Sequence, residues 1–121
     1  MLQGFEDYTA PLSEYEKDTL LPLFVTIFQQ SVGTDKAITN KTLVKHFRAN
    51  GLKLSDARTR KLINHIRIHN LVPRLVASSR GYYVTNSQDE LDNFVASLLG
   101  REQAIRAVRV AMQKQFVTTL F

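Results

Sequence analysis

Between positions 57 and 67 the sequence ARTRKLINHIR sets Ala57, Arg60, Lys61, Asn64 and Arg67 three and four residues apart, with Arg58 and His65 on the flanks and Ile68 at the edge. At about 100° per residue these positions gather on one side of a helix. The residue types fit base edges in a DNA major groove. Arginine pairs bidentately with guanine and asparagine with adenine, while alanine lets a helix approach the groove floor or touch a thymine methyl. Farther on, Ser78, Ser79 and Arg80 offer two hydroxyls and a guanidinium, groups suited to phosphate oxygens or a minor-groove edge. Lys41, Lys45, Arg48 and Lys53 suit phosphate positioning more than base reading. Each of these sets also has a plainer reading as solvated surface, because exposed helix faces are ordinarily charged. Ile68 suits a thymine methyl, but packing against a neighbouring hairpin or a second subunit is the better expectation.

Other chemistries find less support. His65 and His69 stand at i and i+4, where two imidazoles can share a metal, but no third ligand accompanies them and His46 belongs to another segment. Asp89, Glu90 and Asp92 cluster where a helix should begin, and negative charge there meets the helix dipole favourably. The chain has no cysteine, which removes disulfides, thiolate nucleophiles and cysteine zinc sites and fits a reducing cytoplasm. With no phosphate-cradling glycine loop, nucleophile elbow or paired acids, the expectation is a protein without catalytic, metal or cofactor sites.

The elements that must hold these residues come from a chain of 121 residues, suited to one domain with a real core. Apolar residues at 44% and charged residues at 22% are ordinary for a folded, soluble protein. The amino-terminal residues show no basic region followed by an apolar run, and nowhere do about 18 uncharged apolar residues follow one another, so the expectation is neither export nor a membrane span. The net charge of +5 is unevenly spread: residues 1–32 carry −4, residues 33–81 carry +9 and residues 82–121 are neutral. A cationic middle segment attracts a polyanion, nucleic acid or anionic lipid.

Ser13 and Glu16 in capping-box spacing open a first helix whose Leu20, Leu23, Phe24, Ile27 and Phe28 share a side, with Pro22 expected to kink or restart it. After Gly33, the short AIT leads to Asn40 as the cap of a second helix carrying Leu43, Val44 and Phe47, which Gly51 ends. Ser55 caps a third helix running to about Asn70, its buried side formed by Thr59, Leu62, Ile63 and Ile66. Then VPRLVASSRGYYV reads as a two-stranded hairpin turning at SSRG, with Tyr82 and Tyr83 on opposite faces, one supporting the core and the other more exposed. Ser87 and Glu90 form another capping box. It opens a helical segment with Leu91, Phe94, Leu98, Ile105, Val108 and Met112 in near-heptad spacing, interrupted at Arg101, as one helix or as two divided at Gly100. A narrow stripe of this kind suggests self-association, against the alternative of folding back onto the first helix. The terminal FVTTLF would be docked or share that contact.

The fold class expected is thus mostly α with a small β-hairpin: an arm over 1–12, a domain over 13–86 and a helical extension over 87–121. The order helix, short strand, helix, turn, helix, hairpin in AITNKTLVKHFRANGLKLSDARTRKLINHIRIHNLVPRLVASSRGYYV resembles a winged helix-turn-helix domain. It is also similar to small winged-helix proteins of phages and prophages, in which a GYY-type strand leads into a carboxy-terminal helix. The resemblance implies binding of double-stranded DNA, with residues 55–70 as recognition helix in the major groove and Ser78 to Gly81 as the wing along the backbone. With the near-heptad stripe, which suggests a homodimer through the carboxy-terminal helices, the expectation is a transcriptional regulator or a replication or packaging accessory in the cytoplasm of a bacterial host. The alternative is an interaction module whose basic face or terminal helices grip a host protein. RNA binding is a weaker reading, since aromatics able to stack on bases are not clustered on the basic face.

Overall fold

Two hydrogen bonds define the start of the first helix: Ser13 Oγ accepts from the Glu16 amide at 3.1 Å, and Glu16 Oε1 accepts from the Ser13 amide at 2.8 Å. This reciprocal capping box gives acceptors to two of the amide donors that a helix start leaves unpaired. The computed structural model describes residues 9–120, with side chains through 115; most of the expected arm and the side chains of FVTTLF lie outside the described residues. A π-helical turn, Glu16–Leu20, leads into α1, Leu21–Gln30, with the Leu21 amide reaching back to the Glu16 carbonyl and Pro22 in the first turn of α1. Proline has no N–H to give to the ladder, and the wider turn lies just before it. Pro22 lies in a first turn as expected, but the backbone stays helical through Leu20 and Leu21, so a π turn joins the two parts instead of a break. The buried stripe is narrower than expected: Leu20, Phe24 and Phe28 are buried, but Leu23 is 42% exposed.

Helix α2 spans Asn40–Ala49 and buries Leu43, Val44 and Phe47. Its cap is Thr39, one residue before the Asn40 expected, with Thr39 Oγ1 accepting from the Thr42 amide. Thr39 has the extended backbone an N-cap requires. Asn40 instead donates from Nδ2 to Asp56 Oδ1 at 3.1 Å, tying the start of α2 to that of the next helix. Gly51, at φ 77°, ends α2, and the Leu52 amide bonds back to the Phe47 carbonyl.

Helix α3, Asp56–Ile68, is capped by Ser55 Oγ, which accepts from the Arg58 amide. Thr59, Leu62, Ile63 and Ile66 are at most 1% exposed, so the side expected to be buried is sealed. Within this core Phe24 meets Phe47 at 5.0 Å between ring centroids and Phe28 edge-on at 6.0 Å.

Strands β1, Leu75–Ser78, and β2, Gly81–Val84, pair antiparallel, with Leu75 opposite Val84 and Ser78 opposite Gly81. The other edge of β2 is bridged by residues before α2: Ile38 and Tyr82 exchange backbone hydrogen bonds at 2.8 and 2.9 Å, and Val32 bridges Val84. The short AIT thus docks on the hairpin as a single bridge. Gly81 is constrained twice there. Its φ is 121°, and a β-carbon on it would fall 2.4 Å from the Ile38 carbonyl carbon. The two tyrosines divide as expected: Tyr83 is buried, only 5% exposed, and Tyr82 is the more exposed of the pair, although it still packs edge-on against Phe28.

The chain divides after Asn86 into two units. The second holds one continuous helix, α4, Gln88–Leu120, so of the one or two helices expected here the structure has one. Ser87 Oγ accepts from the Glu90 amide at its start. Glycine inside a helix costs only about 1 kcal/mol, so Gly100 does not by itself interrupt α4. The architecture is mostly helical with one small antiparallel hairpin, an α+β arrangement. Among the described residues no helix is long and apolar enough to cross a membrane.

Candidate nucleic-acid interface

The cationic side chains expected on α3 divide into two kinds. Arg58 is committed to the protein: Nε and Nη2 clamp the Glu16 carboxylate at 2.8 and 2.7 Å, while Nη1 and Nη2 donate to the Ala10 and Pro11 carbonyls at 2.8 and 3.0 Å. Bidentate guanidinium–carboxylate pairing is among the stronger polar contacts in proteins. Glu16 is buried, and its carboxyl is held below the usual carboxylate range chiefly by the hydrogen bond from Arg58, against the opposing effect of burial. Arg58 therefore fastens the entry of the chain to the first turn of α3 instead of facing outward from the flank of the basic face. A pairing across 42 residues leaves no local spacing signal, and Glu16 already had a role as the capping acid.

Arg67 is the second departure. Its guanidinium sits over the Tyr82 ring, 5.4 Å from the centroid, and Nε donates to the Leu75 carbonyl at 3.1 Å. A cation over an aromatic face is attracted by the ring quadrupole. Arg67 thus joins the last turns of α3 to the hairpin. Neither Tyr82 nor the β1 carbonyl was visible as its partner, because strand register decides which tyrosine faces α3.

The remaining members do face solvent. Arg60 and Asn64, one turn apart, are exposed, and Ala57 and Lys61 beside them are partly exposed. Opposite them lie the sealed Thr59, Leu62, Ile63 and Ile66, so the core fixes which way the polar ridge points. Ile68, at the last position of α3, is 78% exposed, so of the two packings expected for it, against the hairpin or against a second subunit, the first is not made. On its flank, His65 stacks near His69 with ring centroids 4.3 Å apart. Its pKa is pushed down by burial first, then by the positive fields of His69, Lys17 and Lys61. Among the described residues no group of three or more metal-ligating side chains comes together.

Of the residues expected to position phosphates, Lys41, Lys45, Arg48 and Lys53 are all exposed. Lys41, Lys45 and Arg48 border one shallow groove with Val44 and Asp56. Arg48 also donates from Nε to the Leu54 carbonyl at 3.0 Å, which steadies the turn between α2 and α3. At the hairpin tip Ser78, Ser79 and Arg80 are exposed, and Ser78 Oγ accepts from the Arg80 amide at 3.1 Å. Ser78 and Ser79 share a cleft with Thr39 and Asn40 at the start of α2. Hairpin tip and α2 start are therefore neighbours.

Comparison of the chain with protein-family models, with curated proteins and with solved structures returns no match.

Proposed function

We propose that the chain is a non-enzymatic winged-helix protein that binds duplex DNA, with α2 and α3 as the helix-turn-helix and the β1–β2 hairpin as the wing. In this reading Arg60 and Asn64 meet base edges in the major groove, with Ala57 allowing close approach and Lys61 beside them. Ser79 and Arg80 at the wing, with Lys41 and Lys45, meet phosphates. Arg58 and Arg67 hold the scaffold of that surface. The observation that carries the reading is the two-sidedness of α3: a fully sealed apolar side opposite a ridge of exposed arginine and asparagine, within the segment of net charge +9. The biological role that fits is a phage- or prophage-type transcriptional regulator, or a replication or packaging accessory.

The test is binding to random and selected duplexes across a salt series. With about five phosphate contacts, log affinity should fall against log salt with a slope of roughly −4 to −5. Asn64→Ala should cost about 1–3 kcal/mol on the selected site and little on random duplex, whereas Arg80→Ala should weaken both alike. Equal losses for Asn64→Ala on both duplexes would remove its reading role. Absence of duplex binding at low salt, with capture of an acidic host protein, would replace DNA by a protein partner.

A further inference from the structure

Helix α4 is 33 residues long, about 50 Å at 1.5 Å per residue. Along it Leu98, Ile105, Val108 and Met112 are 45–70% exposed, so the middle of its near-heptad seam is open. A long helix in a folded protein draws most of its stability from burying an apolar face, and this one leaves most of that face in water. Its charge supplies the second observation. Residues 88–100 carry three acids and no base, Asp89, Glu90 and Asp92, whereas residues 101–115 carry four bases, Arg101, Arg106, Arg109 and Lys114, against the single acid Glu102.

We infer that α4 pairs with α4 of a second copy of this chain, antiparallel, through the seam containing Leu98, Ile105, Val108 and Met112. A two-fold interface must be self-complementary, with the same surface supplied by both copies. Antiparallel pairing meets that condition: it lays the acidic half of each helix along the basic half of the other and opposes the two helix dipoles. Parallel pairing would set acid beside acid and base beside base. The whole seam runs from Leu91 to Met112, and its one charged interruption, Arg101, lies at its midpoint. Antiparallel pairing brings it within about one turn of the other copy's Glu102, while parallel pairing places the two Arg101 side chains together. The inference does not depend on DNA binding.

The chain has no cysteine, so one introduced thiol takes one spin label cleanly. Gln103→Cys and Gln113→Cys sit at exposed, uncharged positions near the midpoint and toward the basic end. Sedimentation should give twice the 13.8 kDa chain mass. Between copies, labels at 113 should lie more than about 30 Å apart and labels at 103 much closer, following the rise per residue. Leu98→Glu combined with Val108→Glu should return the chain to a monomer whose tyrosine signal and duplex binding per chain persist. A single-chain mass for the parent protein at high concentration would overturn the proposal, as would short distances at both label positions. Loss of duplex binding alone would leave it standing.

Discussion

Helices α3 and α4 both carry apolar residues at helical spacing, yet the protein uses them in opposite ways. In α3 the apolar side is at most 1% exposed and the polar ridge opposite is thereby aimed outward; in α4 the apolar seam itself is what faces solvent. The difference shows that periodicity fixes the existence of a face but not its cover. An element sealed by its own chain becomes a rigid platform for polar chemistry. One left unsealed is the surface proposed above for a second copy.

The sharpest break of that comparison is a matched pair of truncations. Leu62→Ala in α3 should destabilise the first unit by about 2–5 kcal/mol, the range for large-to-small changes in a packed core. Leu98→Ala in α4 should shift the same transition by less than about 0.5 kcal/mol. Urea titration followed by tyrosine fluorescence checks both, because Tyr15, Tyr82 and Tyr83 lie in the first unit and none of the tyrosines lies in α4. A large effect of Leu98→Ala would erase the distinction between the two helices.

Next in size is the contrast within α3. Arg58→Ala should cost about 3 kcal/mol, because it leaves the buried Glu16 carboxylate without its charge partner. Arg60→Ala, on the exposed ridge, should cost less than about 0.5 kcal/mol while weakening duplex binding. Paired denaturation curves and gel shifts separate the two arginines. Comparable stability losses would mean that the ridge is structural throughout.

The smallest effect is in pH. Glu16 is held below its ordinary value of 4.5 in the folded chain, so its contribution is present above that value and fades as pH falls through the folded pKa. The stability gap between the parent and Arg58→Ala should therefore be constant near neutrality and close as the pH drops below 4.5. A gap that stays open in acid would show that packing of the Arg58 side chain, not its charge, holds the entry segment.

Much of the scaffold was legible because its signals are local. Ser13 with Glu16, Ser55, Gly51 and the SSRG turn act within a few residues, and the structure uses each as expected. Where a local signal had a near-equal neighbour, the expectation fell one residue off: Thr39 and not Asn40 caps α2. Gly100 left one helix or two open, and the structure has one. On the candidate interface, the outward direction of Arg60 and Asn64 followed from the spacing of Leu62, Ile63 and Ile66. The fates of Arg58 and Arg67 did not.

By itself the sequence determined the helices, the hairpin, the buried side of α3 and the concentration of positive charge in the middle of the chain, because capping, turn chemistry and periodicity operate over a few residues. Only the tertiary structure decided which cations are left for a partner. Arg58 met Glu16 and Arg67 met Tyr82 across separations where chain spacing carries no information, and a guanidinium held by a carboxylate or a ring is no longer aimed at solvent.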